Sequence, residues 1–207
     1  MAAFTAVGED HAEELRRLAA GGADLKLMYN GETTLAHPAA VHSRDPEIFR
    51  ILEEHNLPLW SKDDMNATPM DLALENDNTA AFDLFLAEKG GLSELSQEGL
   101  DEYLESAIQL GAPGIVAELL GSGADIRNLR KKGTPALNSI PSYIIRDFAY
   151  LSEAESTIIL RKLVKLLMEA GADPDWTDDY GWSGYEIHED NPAVLEAMKE
   201  MDNCDGM

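Results

Sequence analysis

The segment LVKLLMEAGADPD, residues 163–175, carries the pattern that decides the fold. Its apolar residues recur at helical spacing, which predicts a helix with one buried face. Gly171 is expected to end that helix, because glycine readily adopts the left-handed conformation found at helix C-termini. Asp173 then favours a turn. The segment therefore predicts a packed helix that leads directly into a turn.

The tripeptide Gly-Ala-Asp at this helix end also occurs at residues 22–24 and 123–125, each time after a leucine-rich helical pattern. More degenerate helix ends lie at residues 56–58 and 89–91. Successive ends are separated by roughly 34, 35, 32 and 48 residues, where one known class of repeat measures about 33. The last interval predicts one repeat plus an insertion of about fifteen residues.

A second motif follows the helix ends by about ten residues, a spacing that suits a repeating unit. It reads GETTL at 31–35, NATPMDLA at 66–73, GTPAL at 133–137 and GWSGY at 181–185. Thr68 and Thr134 can cap a helix N-terminus with their hydroxyl groups. Pro69 and Pro135 then suit the first helical position, where no N–H is needed. Each motif therefore predicts the start of a second helix in the repeat.

Together the two motifs resemble the ankyrin-repeat family, whose repeat reads roughly Gly-x-Thr-Pro-Leu-His-x-Ala, then Ile-Val-x-Leu-Leu, then Gly-Ala-Asp. The resemblance implies an all-α ankyrin-repeat solenoid of helix–turn–helix repeats with hairpin fingers. Six repeats in one domain are predicted, at about residues 3–24, 27–58, 60–91, 92–125, 126–173 (with an insertion at 138–155) and 174–201, followed by a tail at 202–207. The sequence departs from the family pattern at His37, one residue beyond the expected histidine, and in the fourth repeat, which lacks the Thr-Pro motif.

Charge narrows the class of partner. The chain has 39 acidic and 16 basic residues, for a formal net charge of −23. Such a chain repels nucleic-acid phosphates and anionic lipid, so we expect neither nucleic acid nor a membrane as a direct partner. A protein with a basic surface is favoured, and the alternative is that the acidity serves only solubility.

The predictions about cellular compartment, metal binding and enzymatic activity depend mainly on sequence signals that are absent. Cys204 is the one cysteine, the N-terminus lacks a signal-peptide pattern, and no apolar run approaches a membrane span. We therefore expect a soluble intracellular protein, cytoplasmic or nuclear, that is monomeric on its own. Asp173 and the acidic residues after it fail the EF-hand pattern, because the sixth position is Asp178 and not glycine. We expect no metal, no cofactor and no enzymatic activity.

The resemblance implies binding through finger tips and through the concave face lined by the inner helices. Unusual side chains stand at two predicted fingers, and aromatic residues beside acidic ones suit a basic partner. In the third finger they are Trp60, Asp63, Asp64 and Met65, and in the sixth they are Trp176, Asp178, Asp179 and Tyr180. Trp60 and Trp182 could instead pack against the adjacent repeat, and Trp176 is expected to be the most exposed of the three tryptophans.

The insertion at 138–155 is too apolar for a solvated loop, with Tyr143 and Phe148 among its large side chains. It predicts either a longer inner helix or a helical flap packed on the repeats, which we favour, or a binding patch. Two functions follow. The first is a module that captures or inhibits a basic protein through acidic finger tips and the concave face. The alternative is an assembly adaptor that binds through the insertion.

Overall fold

The computed structural model describes residues 1–30, 32–87, 90–146 and 149–205. Its elements form two compact units, Met1–Gly91 and Leu92–Met207. The helices of the first unit are α1 (Ala2–Gly8), α2 (Ala12–Ala20), α3 (Ala36–His42), α4 (Pro46–Glu54), α5 (Pro69–Glu75) and α6 (Thr79–Ala87). The inner helices α1, α3 and α5 pack in one row, and the outer helices α2, α4 and α6 pack in a second. The first unit therefore contains three pairs, each of one inner and one outer helix.

The second unit is less regular. It contains a 3₁₀ turn (Leu92–Glu94), α7 (Gln97–Gln109), α8 (Pro113–Gly121), α9 (Ile126–Lys131), a second 3₁₀ turn (Ala136–Ser139), β1 (Ile145–Arg146), β2 (Ala149–Tyr150), α10 (Glu153–Glu169), α11 (Gly184–Ile187) and α12 (Pro192–Asp205). The inner row consists of α7, the second 3₁₀ turn and α11, and the outer row consists of α8, α10 and α12. Helix pairing therefore continues, although two inner elements are very short.

The predicted helix ends are confirmed. Gly22, Gly123 and Gly171 all have positive φ, and Gly171 has a φ of 94°. The amide of Ala172 donates to the carbonyl oxygen of Leu167 over 2.9 Å, which closes the end of α10. Asn56 replaces glycine at the second end, with a φ of 50°. The degenerate second repeat therefore ends in the same backbone conformation as the others.

The start of α5 also forms as predicted. Thr68 accepts from the amide of Asp71, whose carboxylate accepts in return from the amide of Thr68, with Pro69 at the first helical position. In the second repeat the motif is shifted by one residue. The amide of Thr34 donates to Nδ1 of buried His37 over 3.1 Å, so Thr34 and not Thr33 pairs with this histidine.

In the fifth repeat the predicted helix start is wrong. Thr134 makes no cap, and Pro135 precedes a four-residue 3₁₀ turn. Pro141 disfavours helical geometry at Ile140, which prevents the turn from growing into an inner helix. The finger predicted before this motif is replaced by α9, which Asp125 caps and whose Ile126 and Leu129 are buried.

Residues 138–146 and 149–155 of the insertion form neither a longer inner helix nor a helical flap. They form an antiparallel hairpin, in which Ile145 lies opposite Tyr150, and they lengthen α10 to 17 residues. Ser152 and Glu155 cap that helix reciprocally. Ile140 and Ile144 are buried, so this part of the insertion packs as predicted. Arg146 donates to the main-chain oxygens of Leu110, over 2.9 Å, and Gly111, both at the end of α7.

Candidate functional site

The third finger, residues 60–67, is built around Asp63. Its amide donates to the carbonyl oxygen of Ala67 over 2.9 Å, and its carboxylate accepts from the amides of Met65 (3.0 Å) and Ala67 (2.9 Å). Asp63 thereby shapes the turn. Asp64 is exposed, Met65 is 68% exposed and Trp60 is half-buried. Asp64 and Met65 are therefore the predicted residues that this finger presents to solvent.

The sixth finger, residues 176–183, repeats this arrangement in the second unit. The carboxylate of Asp178 accepts from the amides of Tyr180 and Trp182, each over 2.9 Å, and its own amide donates to the Trp182 carbonyl oxygen. Tyr180 is 89% exposed at the tip. Asp178 thus has the same turn-forming contacts as Asp63, and both carboxylates act on their own main chain.

Asp179 lies beside the residue that follows the cap of α9. Its carboxylate lies against the Cα of Gly133, where a Cβ would overlap it. Gly133 directly follows α9 and its cap residue Lys132. This acidic side chain therefore faces a basic segment of its own chain.

Trp176 is not the most exposed tryptophan, contrary to expectation. It is half-buried, and the guanidinium carbon of Arg130 lies 4.6 Å from its ring centroid. Trp182 is instead 55% exposed, and its carbonyl oxygen accepts from the Asn138 side chain over 2.9 Å. The partial burial of Trp176 depends on α9, which places Arg130, 46 positions earlier in the chain, beside the tryptophan ring.

The insertion forms one wall of a cleft of about 660 Å³ with α10, α11 and the start of α12. We call it the hairpin cleft; its lining includes Tyr143, Leu151, Glu153, Leu160, Ile187 and Asp190. Tyr143 is 58% exposed, and its ring lies edge-on to that of Tyr150, with centroids 5.1 Å apart. Tyr150 is 71% exposed. Phe148, also predicted to bind, lies outside the described residues.

The electrostatics of the hairpin cleft are acidic. Among the described residues that line it, the one basic residue is Arg161, which is within 4.0 Å of Glu196 and also pairs with Glu200. Glu153 and Asp190 have no hydrogen-bond or ion-pair partner among residues 92–146 and 149–205. The cleft therefore offers two free carboxylates beside an exposed tyrosine.

Sequence reasoning missed an apolar patch in the second finger. Leu27, Met28 and Tyr29 are all exposed, and the ring of Tyr29 lies tilted against that of Phe4, with ring centroids 5.8 Å apart. Three consecutive large apolar residues in a predicted finger were the available signal, because exposed apolar clusters mark interaction surfaces.

Two further properties hold for the described part of the chain. It contains no group of three or more His, Cys, Asp or Glu residues placed to hold a metal ion. None of its helices is both long enough and apolar enough to cross a membrane.

Stacked pairs of helices, left-handed ends on the outer helices and hairpin fingers define the ankyrin-repeat fold. The predicted fold class is confirmed: the described residues adopt the all-α ankyrin-repeat fold, to which a two-stranded hairpin is added. No protein-family model matches the sequence. No curated protein matches it either.

Solved structures share the fold. The human ASB11 ankyrin repeat domain has a TM-score of 0.52 and 16% identity, over 97% of each chain. An ankyrin repeat domain from Acinetobacter baumannii has a TM-score of 0.53 and 15% identity, over 97% of each chain. A chain from the complex of the Bd0816 predatory endopeptidase of Bdellovibrio bacteriovorus with immunity protein Bd3460 reaches 0.55 and 18%, over 96% of this chain and 97% of that one. At these identities the likeness concerns the fold.

Proposed function

We propose that the protein is a non-catalytic interaction module that captures a basic segment of another protein in the hairpin cleft. The observation that carries this proposal is the pair of unpartnered carboxylates, Glu153 and Asp190, beside the exposed Tyr143. An aromatic side chain supplies contact area, and carboxylates supply charge complementarity to lysine or arginine.

The cleft is a better site for a basic partner than the acidic finger tips. Asp63 and Asp178 shape their own turns, and Asp179 faces Gly133 beside a basic helix. A carboxylate already engaged by main-chain amides gains less from an incoming cation. The net charge of −23 adds long-range attraction for a basic protein and speeds association.

The fold is compatible with this role. One solved chain with the same fold comes from a complex between an endopeptidase and an immunity protein. Ankyrin repeats expose extended surfaces and supply no catalytic site of their own, so function depends on the side chains presented. Capture at the cleft would inhibit the partner wherever the bound basic segment is needed for its activity.

The test is capture from native lysate on the immobilised protein, with elution in salt steps and identification by mass spectrometry. We expect basic proteins to elute at moderate salt, because exposed ion pairs are screened. The double variant Glu153→Gln/Asp190→Asn should lose them. The matched control, Glu32→Gln/Glu53→Gln, removes the same charge from exposed positions in the first unit and should retain them. Equal retention by both variants would contradict the proposal.

A second candidate is an assembly adaptor, favoured by the exposed pair Tyr143 and Tyr150 in the insertion. Its partner would bind mainly through apolar contact, so retention would resist salt. The variant Tyr143→Ser/Tyr150→Ser should then abolish binding while Glu153→Gln/Asp190→Asn has no effect. Retention that depends on the carboxylates and falls with salt favours capture of a basic protein instead.

A further inference from the structure

We propose that a second surface of this protein, on α9, binds an acidic segment of a partner protein. The surface is a cleft of about 360 Å³ lined by Arg127, Arg130, Lys131 and Trp176, and we call it the α9 cleft. Its charge is opposite to that of the hairpin cleft, so this inference goes beyond the function proposed above and does not rest on it.

The concentration of charge in α9 is unusual for this chain. Four of its 16 basic residues, Arg127, Arg130, Lys131 and Lys132, lie within six consecutive positions, although the net charge is −23. All four side chains are exposed. Residues 126–131 form α9, and its own residues Ile126 and Leu129 are buried. The basic side chains therefore extend from a helix that is packed against the rest of the protein.

Trp176 fixes the central cation. The guanidinium carbon of Arg130 lies 4.6 Å from the Trp176 ring centroid, a cation–π arrangement. Contact with the ring orders a long side chain that would otherwise lose conformational freedom when it binds a ligand. The N–H groups of a guanidinium match the two oxygens of a carboxylate.

The cations are also available. Arg127 is paired with Asp125, Nε to Oδ1 over 2.8 Å. By contrast, no carboxylate of the described residues forms an ion pair with Arg130, Lys131 or Lys132. Lys131 donates only to Asn128, over 3.0 Å. Three positive charges of a strongly acidic protein therefore form no ion pair within the described chain, although the Asp179 carboxylate lies beside the neighbouring Gly133.

An acidic peptide fits this surface better than nucleic acid. A nucleic-acid strand carries charge along its whole length, and the net charge of −23 would repel all of it beyond the cleft. A short run of Asp and Glu places its charge only where the cations are. The walls formed by Trp176 and the aliphatic parts of the basic side chains also suit an apolar residue within that run.

The test is fluorescence anisotropy with a labelled 12-residue peptide that consists of three Glu-Leu-Glu-Phe repeats. We expect binding that Arg130→Gln weakens roughly tenfold and that Arg130→Lys weakens less, because lysine keeps the charge but loses the bidentate edge. Trp176→Ala should also weaken binding, because the guanidinium is then no longer fixed. The control Lys199→Gln removes one positive charge from an exposed position on α12 and should bind normally.

Three results would overturn the inference. One is equal binding by wild type and Arg130→Gln, with both folded by circular dichroism. Another is equal binding of the peptide in which every Glu is replaced by Lys. The third is binding of a 12-nucleotide thymidine strand that depends on Arg130 and is tighter than binding of the acidic peptide. This result would make the α9 cleft a nucleic-acid surface. Loss of basic-protein capture at the hairpin cleft affects none of these measurements.

Discussion

The side-chain amide nitrogen of Asn78 lies 2.8 Å from the main-chain oxygen of Ala40 and donates to it from the neighbouring repeat. The same amide group also reaches the carbonyl oxygens of Ser43 (2.7 Å) and Ala39 (3.3 Å), and the whole residue is buried. Asn78 therefore satisfies carbonyl oxygens at the C-terminal end of α3 from the start of α6.

The first prediction concerns this contact. Asn78→Ala should lower the free energy of unfolding by about 1–3 kcal/mol, because buried carbonyl oxygens lose their donor. Urea denaturation followed by circular dichroism measures it. Asn203→Ala removes an exposed side chain from α12 and should change stability much less. Similar losses in the two variants would show that Asn78 contributes little.

The second prediction concerns Gly111, which follows α7 with a φ of 69° and lies against the buried side chain of Ile144. Gly111→Ala should lower the free energy of unfolding more than Gly123→Ala, because Gly123 also has a positive φ (100°) but a Cβ there would meet open space. Overpacking adds about 1–3 kcal/mol. The second change Ile144→Val removes the overlapping Cδ1 atom and should recover most of the excess. Thermal unfolding of the wild type and these three variants checks this, and an excess that persists in the double variant would contradict it.

The third prediction concerns the turn-forming aspartates. Asp178→Asn keeps an oxygen that can accept from the amides of Tyr180 and Trp182, whereas Asp178→Ala does not. Hydrogen exchange at these two amides should therefore accelerate in the alanine variant and stay slow in the asparagine variant. Equal acceleration in both would mean that the charge of Asp178 matters more than its hydrogen bonds.

The fourth prediction concerns His188, which is buried and whose Nε2 lies 2.8 Å from the carbonyl oxygen of Leu137. Burial lowers the pKa of His188 below its ordinary value, and the hydrogen bond to Leu137 only partly opposes this. The unfolded chain therefore takes up the proton first as pH falls. The stability that neutral His188 contributes is fully present above a pH of about 6.5 and is lost below it.

His188→Gln measures that contribution, because glutamine can donate to Leu137 but does not titrate. Between pH 7 and pH 5 the wild type should lose more stability than this variant in urea denaturation. Parallel pH profiles would show that His188 is not responsible for the acid sensitivity.

Local chemistry explains which parts of the fold could be predicted. Gly22, Gly123 and Gly171 mark helix ends because few other residues adopt their backbone conformation readily, and Pro69 marks a helix start for a related reason. The signal for α9 was also local, since Asp125 can cap and Ile126 and Leu129 are three positions apart. The family pattern, which places a finger there, gave the wrong expectation.

The candidate site depended on contacts between distant positions. Trp176 and Trp182 have similar acidic neighbours, and their exposure differs because Arg130 covers one ring. Asp179 looks free in the sequence, yet it packs beside Gly133, which no local pattern reveals. The hairpin cleft likewise combines the insertion with helices that follow it by up to about forty residues. Burial of this kind is decided by tertiary packing.

The contact from Arg146 to the Leu110 oxygen, 36 residues earlier, has a consequence for the order in which the second unit folds. Contacts in a repeat array are mostly between adjacent elements, so folding can spread from one to the next. This contact instead requires a long loop to close. The conformational entropy of the loop is lost before the contact compensates for it. We therefore expect α7 and α8 to fold first and the hairpin to dock afterwards. The first turns of α10, which begin directly after β2, would become ordered last.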